Sequence, residues 1–281
     1  MENEYSPVFI GGIGGSGTRV FAGVLEKLGY FMGGNCNPAR DTLWFKLLLP
    51  TKLLLHWDEG EFLERSTVLV TALSGGTQND LDPHRVVKLC CDSASEFAKR
   101  SVFEETLDGL LVQLFANKVM TQKGWGWKAP KSHLWAEPLL NAHKNLRFLY
   151  VLRNGFDMIS SANRNQDQLL ETIYKTRRSQ ESEEYLRLRA WYLSLVQAER
   201  LLAKYPSRVL IVRLEDLLQS PSFTASIICK FVGLKEVPVS LGSYLKTELN
   251  PLASSRGAHL RETMSIEPDI KRALRELGYW D

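Results

Sequence analysis

Four short stretches of the chain carry residues able to do chemistry on an anionic ligand. The first is Gly11-Gly12-Ile13-Gly14-Gly15-Ser16-Gly17-Thr18-Arg19. Glycine lets the backbone turn tightly and approach a ligand closely. When such a turn opens a helix, its unpaired N–H groups and the positive end of the helix dipole converge on one point, where an anionic oxygen is the natural occupant. The second stretch, Lys128-Ala129-Pro130-Lys131-Ser132-His133, gathers two ammonium groups and an imidazole that titrates near neutral pH. The third is Arg153, which ends an apolar run and is followed eight residues later by Ser161. A guanidinium there is a permanently charged, forked donor suited to phosphate. The fourth is the late pair Arg256-Gly257.

Taken alone, the glycine stretch has several readings. Gly12, Gly14 and Gly17 match a dinucleotide fingerprint, but Tyr30-Phe31-Met32 offers no acid for a ribose and the next acid beyond it is Asp41. Gly12 to Gly17 also has the spacing of a nucleotide triphosphatase loop, yet Thr18-Arg19 stands where that loop needs Lys followed by Ser or Thr. A plain turn that binds nothing fits as well.

Each of the other residues has a structural reading beside its chemical one. Arg153 could pair with Asp157 at i, i+4, and Ser161 could bond back within its helix. His133 could be a packed imidazole, and Lys128 a cation over a neighbouring indole ring.

The surrounding elements place these stretches. Pro7-Val8-Phe9-Ile10 predicts a buried strand before the glycine turn, and Val20, Val24, Leu25 and Leu28 a helix after it, ending at Gly29. Trp125 to Lys128 reads as a strand that meets Pro130, with Ser132 as cap of a helix to Leu140. Leu146 to Leu152 is a strand ahead of Arg153, and Phe156, Ile159 and Ser160 begin the next helix. Val209 to Val212 is a further strand, followed by Arg213 to Leu217, a helix from Ser220-Pro221 to Gly233, and a last helix from about Glu267 to Leu277.

Asp41 is expected to cap a helix through Lys46, and residues 43 to 57 form a buried or groove-lining helix pair. Residues 97 to 120 carry a helical apolar face. Gln166 to Glu184 is polar and poorly periodic and reads as a mobile loop, before a long amphipathic helix through Trp191. Strands alternating with helices predict an α/β fold, a central parallel sheet covered by helices on both faces. In such a sheet ligands bind at the carboxyl ends of the strands, where the glycine stretch, Lys128 and Arg153 all fall. At 281 residues the chain is expected to form a single domain, 1–281.

Composition narrows the partners. The net charge of +3 is too small to imply nucleic acid. Cys36, Cys90, Cys91 and Cys229 have no metal-ligand spacing and are expected to stay reduced, and no metal is expected. Met1 to Ser6 lacks the pattern of a signal peptide, and Lys46, Pro50 and Lys52 interrupt the longest apolar stretch, so a cytoplasmic protein without a membrane span is expected. Nothing in the sequence sets an oligomeric state.

Together these segments resemble the sulfotransferases that use 3'-phosphoadenosine 5'-phosphosulfate (PAPS), especially the bacterial members, with their P-loop-like fold. Ser16-Gly17-Thr18 resembles the end of that family's 5'-phosphosulfate loop; Arg153 with Ser161 resembles its 3'-phosphate motif, and Val212-Arg213-Leu214-Glu215-Asp216-Leu217 its Arg-Tyr-Glu-Asp-Leu segment. Lys128 lies in a segment similar to the Trp-Lys-x-Pro of bacterial relatives, and Lys131-Ser132-His133 is similar to the Lys-Thr-His of the cytosolic branch.

The resemblance implies that Gly14, Gly15, Ser16, Gly17, Thr18 and Arg19 face the phosphosulfate, and that Arg153, Ser161, Arg256 and Gly257 face the 3'-phosphate. It also implies His133 as the base that deprotonates a hydroxyl or amine acceptor on a small molecule, glycan or peptide. The products are a sulfated acceptor and adenosine 3',5'-bisphosphate. Gly15 departs from the pattern, because the family usually has Lys or Arg there; Lys128, then Arg19, is expected to supply that charge. A P-loop kinase of a small metabolite and a nucleotide-binding protein without transfer activity are the other readings.

Overall fold

The computed structural model describes residues 5–76, 81–116, 122–161, 164, 166–176, 181–234, 237–249, 257 and 259–280. Its centre is a sheet of five parallel strands: β1 (Val8–Gly11), β2 (Tyr30–Phe31), β3 (Gly124–Lys128), β4 (Arg147–Leu152) and β5 (Val209–Arg213), in the order β2-β3-β1-β4-β5. Alternation along the strands feeds two cores. Phe9, Trp127 and Phe148 project to one face, where Phe9 stacks on both other rings at centroid distances of 5.0 and 4.7 Å. Val8, Ile10, Leu149, Val151 and Val212 project to the other. Helices Glu59–Ser74 and Glu183–Lys204 cover the first face, and helices Thr18–Lys27 and Pro221–Val232 the second. The expected α/β architecture, a parallel sheet flanked on both faces, is the one observed.

Register sets the site. Ile10 is level with Lys128 on one side and with Leu149 on the other, so the chain leaves β1, β3 and β4 at the same end of the sheet. The glycine turn, Lys128 and Arg153 therefore share one edge.

Several local expectations are corrected. Residues 167 to 174 form a helix (Asp167–Tyr174) rather than a loop, because Leu170 is buried and Leu169, Ile173 and Tyr174 pack beside it at helical spacing against the core. Ser132 caps no helix: its hydroxyl accepts the Trp127 indole N–H at 3.0 Å, within a 3-10 turn (Pro130–Trp135). Asp41 caps no helix either; Thr42 precedes helix Leu43–Leu48, and the Asp41 carboxylate is engaged by Lys128. Residues 43 to 57 do form a helix pair, Leu43–Leu48 and Thr51–Leu55. No described helix is long and apolar enough to cross a membrane.

Candidate functional site

The glycine turn joins β1 to helix Thr18–Lys27 through Gly15 and Gly17, at φ of 96° and 91°, where side chains other than glycine are strained. Helix Thr18–Lys27 has no side-chain cap and no acid in its first turn, so its leading N–H groups are left for a ligand. Two observations show that the turn is built for oxygens. Gly14 N–H points outward at an oxygen, donating to Gln166 Oε1 at 2.9 Å across 152 residues of sequence. The Ser16 hydroxyl is buried with no hydrogen-bond partner among the described residues, a cost that a ligand oxygen relieves. Thr18 is buried beside it and Arg19 is exposed on the helix's first turn.

Arg153 meets this turn directly. Its Nη1 donates to Gly15 O at 2.8 Å. The strand end holding it is rigidly tied: Trp191 Nε1 donates to Arg153 O at 2.9 Å, and buried Glu215 accepts Asn154 N–H and the Tyr279 hydroxyl, each at 2.8 Å. Ser161 lies against Gly15, since a Cβ added at Gly15 would sit 3.1 Å from Ser161 Oγ. The Asp157 carboxylate accepts Gly257 N–H at 2.8 Å, which brings the late glycine to the same helix. Arg256 lies outside the described residues. Gly14 to Thr18, Arg153 and Ser161 thus converge, and Gly257 is tied to Asp157, four residues before Ser161.

Gly15 also explains the missing charge. A lysine there would need left-handed backbone and would press on Ser161, so Gly15→Lys is expected to cost about 1–2 kcal/mol and to weaken rather than improve nucleotide binding. Denaturant midpoints and calorimetry of that variant check this; a stable, tighter-binding protein would contradict it.

Lys128 ends β3 with its side chain 2% exposed and its ammonium donating to Ala39 O at 2.7 Å and to Asp41 Oδ1. Burial pulls its pKa below the usual lysine value, while Asp41 opposes the shift. Lys128 therefore fastens the Ala39–Thr42 segment over the strand end, and Thr42 N–H returns a bond to Lys128 O at 2.8 Å.

His133, expected as the base, lies inside the protein. It is 2% exposed, its Nδ1 is 2.7 Å from Pro130 O, and its Nε2 is buried with no partner among the described residues. Burial pushes its pKa down to about 4, which keeps the imidazole neutral near pH 7. In an unfolded chain the imidazole binds a proton near pH 6.5, so folding is favoured above that value and loses this contribution as pH falls toward 4. His133→Asn is expected to flatten the acid side of the stability curve by on the order of 2–3 kcal/mol, read as urea midpoints at pH 7 and 4.5. Equal acid losses in both proteins would refute it.

A cavity of about 330 Å³ opens beside Gly14 and Gln166, walled by Asp41, Lys46, Glu96 and Lys131 with apolar Leu43, Phe45 and Leu49. His133 does not line it. A larger hollow of about 680 Å³ lies at the opposite ends of the strands, against Pro7 and Leu146, away from every residue above. Among the described residues no cluster of His, Cys, Asp and Glu stands ready to hold a metal. Asp41, Glu96, Lys46, Gln166 and Arg187 were not legible as site residues. Arg187, 7% exposed, donates to Met158 O at 3.4 Å and lies 3.3 Å from Asp167, joining two helices that flank the site.

Among known families, the model described as the sulfotransferase family matches residues 7–238, from β1 past β5. The chain belongs to the sulfotransferase family. Two solved structures share its fold. The sulfotransferase domain of the Synechococcus PCC 7002 olefin synthase is 15% identical with a TM-score of 0.51, covering 98% of this chain and 94% of that one. The sulfotransferase domain of the curacin biosynthetic pathway is 17% identical with a TM-score of 0.51, covering 98% of each. Among curated protein sequences there is no significant match.

Proposed function

We propose that this sulfotransferase, acting as one domain in the cytoplasm, takes PAPS as donor and moves its sulfuryl group to a hydroxyl or amine. The observation that carries the reading is the 2.8 Å bond from Arg153 Nη1 to Gly15 O, which joins the two halves of a nucleotide clamp. On one side, the N–H groups of Gly15, Gly17 and Thr18, joined by that of Gly14 once Gln166 gives it up, hold the phosphosulfate with the Ser16 and Thr18 hydroxyls, while Ser16 N–H stays on Ile13 O at 3.0 Å. On the other, Arg153 and Ser161, with Gly257 and Arg256, hold the 3'-phosphate. A fork of fixed positive charge on a rigid strand end discriminates a nucleotide with that phosphate from one without it.

In the transfer, a new S–O bond to the acceptor forms as the S–O bond to the 5'-phosphate breaks, and the acceptor proton passes to a base. By analogy with phosphoryl transfer, the protein's part is positioning and charge stabilisation. Lys128, with Arg19 behind it, supplies positive charge for the leaving oxygen. Asp41 replaces His133 as base: it lines the cavity that opens at Gly14, and Lys128 and the Asn37 amide (2.9 Å) fix its carboxylate in place.

Calorimetry with adenosine 3',5'-bisphosphate, ATP and NAD separates this reading from the others. Tight binding of the bisphosphate alone is expected. Binding of ATP alone would favour a kinase, and bisphosphate binding without transfer of labelled sulfate to any lysate acceptor would leave a nucleotide-binding protein.

A further inference from the structure

The cavity beside Gly14 is charged in an uneven way. Four ionisable side chains line it. Asp41 is offset by Lys128, and the Glu96 carboxylate is occupied by the backbone N–H and hydroxyl of Thr51 at the start of helix Thr51–Leu55. Thr51 is neutral, so the Glu96 charge stands against two lysines. Lys131 Nζ donates to a neutral partner, Thr51 Oγ1, at 2.7 Å, and Lys46 Nζ sits 4.7 Å from the centre of the Phe97 ring. Among the described residues neither ammonium forms a salt bridge, and both are partly buried.

We infer that Lys46 and Lys131 form the anion-binding end of the acceptor site, so the acceptor is a small hydroxy (or amino) compound with an apolar body and an anionic group: carboxylate, phosphate or sulfate. This rests on the sulfotransferase reading for what is transferred, though not for the binding of the anion. Two half-buried ammonium groups that share the single carboxylate of Glu96 keep a net positive charge, repel each other and lose hydration, and an anion between them relieves these costs. The strain is visible at Lys46, whose pKa is lowered chiefly by burial, held up by Glu96 and lowered further by Lys131. Leu43, Phe45 and Leu49 supply the apolar wall. At about 330 Å³ the space is at the low end for small-molecule sites, which selects a small molecule over a glycan chain or a peptide. Gly14, on the wall of the same cavity, places the acceptor's hydroxyl next to the phosphosulfate loop.

The test uses the full chain with its lysines dimethylated by 13C-formaldehyde, so that the Lys46 and Lys131 signals are followed by NMR and assigned by single Lys→Arg variants. Hydroxy acids, their carboxamides and the matching phosphate monoesters are titrated with adenosine 3',5'-bisphosphate present. Acids or phosphate esters are expected to move both signals and to bind at least about tenfold more tightly than the amides. In Lys46→Met/Lys131→Met that preference falls to about unity, while the bisphosphate, measured by calorimetry, still binds and reports an intact fold. Which of the two anions binds better separates a carboxylate acceptor from a phosphorylated one. Equal binding of acids and amides, signals that no anion moves, or a preference that survives the double substitution would each overturn the inference. If the double variant does not fold, the acid-to-amide ratio of the unsubstituted protein and of each single Lys→Met variant decides it. Anion binding without bisphosphate binding would sink the nucleotide reading and leave the lysine site standing.

Discussion

Arg153→Ala is expected to erase the preference for adenosine 3',5'-bisphosphate over adenosine 5'-monophosphate. The guanidinium is 6% exposed, so its bonds to a phosphate are made in a medium where they are strong and where their loss is not repaid by water. Truncating one partner of a buried charge pair costs about 2–5 kcal/mol, or roughly 30- to several-thousand-fold in affinity. Arg153 also holds Gly15 O, and loosening the loop would weaken both nucleotides. The ratio of the two dissociation constants removes that shared part and isolates the 3'-phosphate. Arg153→Lys is expected to fall between, since it keeps the charge and loses the fork. Calorimetry of the three proteins with both nucleotides is the measurement, and a ratio unchanged in Arg153→Ala would take Arg153 out of the role.

The parts of the site that were legible are those that local sequence decides. Short β-branched or aromatic runs ending in glycine, lysine or arginine gave β1, β3 and β4, and the rule that ligands gather at the carboxyl ends of parallel strands then brought Gly14, Lys128 and Arg153 together. What was not legible depends on pairings across the sheet. Asp41 meets Lys128 across 87 residues and Gln166 meets Gly14 across 152, and neither spacing leaves a local pattern. Helix Asp167–Tyr174 was hidden because its apolar face is only four residues in a charged segment, and it packs on the next helix, Glu183–Lys204, only once the chain has turned back. His133 failed for a different reason. Its position near a strand end was readable, but the turn through Pro130 that swings it beneath β1 is a tertiary fact: the His133 backbone lies 2.6 Å from where a Gly11 Cβ would be.

With Asp41 proposed as base, Asp41→Asn is the sharpest test of where the acceptor's proton goes. The substitution keeps the size of the side chain and the backbone bond from residue 41 N–H to Asn37 Oδ1 at 2.8 Å, so the cavity wall should hold its shape. Loss of a positioned base lowers turnover by about 10²- to 10⁴-fold. Bisphosphate affinity is expected to stay within about threefold, because Asp41 lines the acceptor cavity and not the nucleotide clamp.

A second signature comes from Lys128. Burial already lowers its pKa, and Asp41 is the first group opposing that shift. With asparagine in place, the ammonium loses its proton more easily, so the alkaline limb of the residual rate should move to lower pH. Lys128→Met alone should also be severely impaired. The double variant should be no worse than the poorer single one, because the two residues act as one unit. Turnover of Asp41→Asn within about threefold of the unsubstituted protein would exclude Asp41 as base, and a fixed alkaline limb would show that the Lys128 charge is not set by its neighbour.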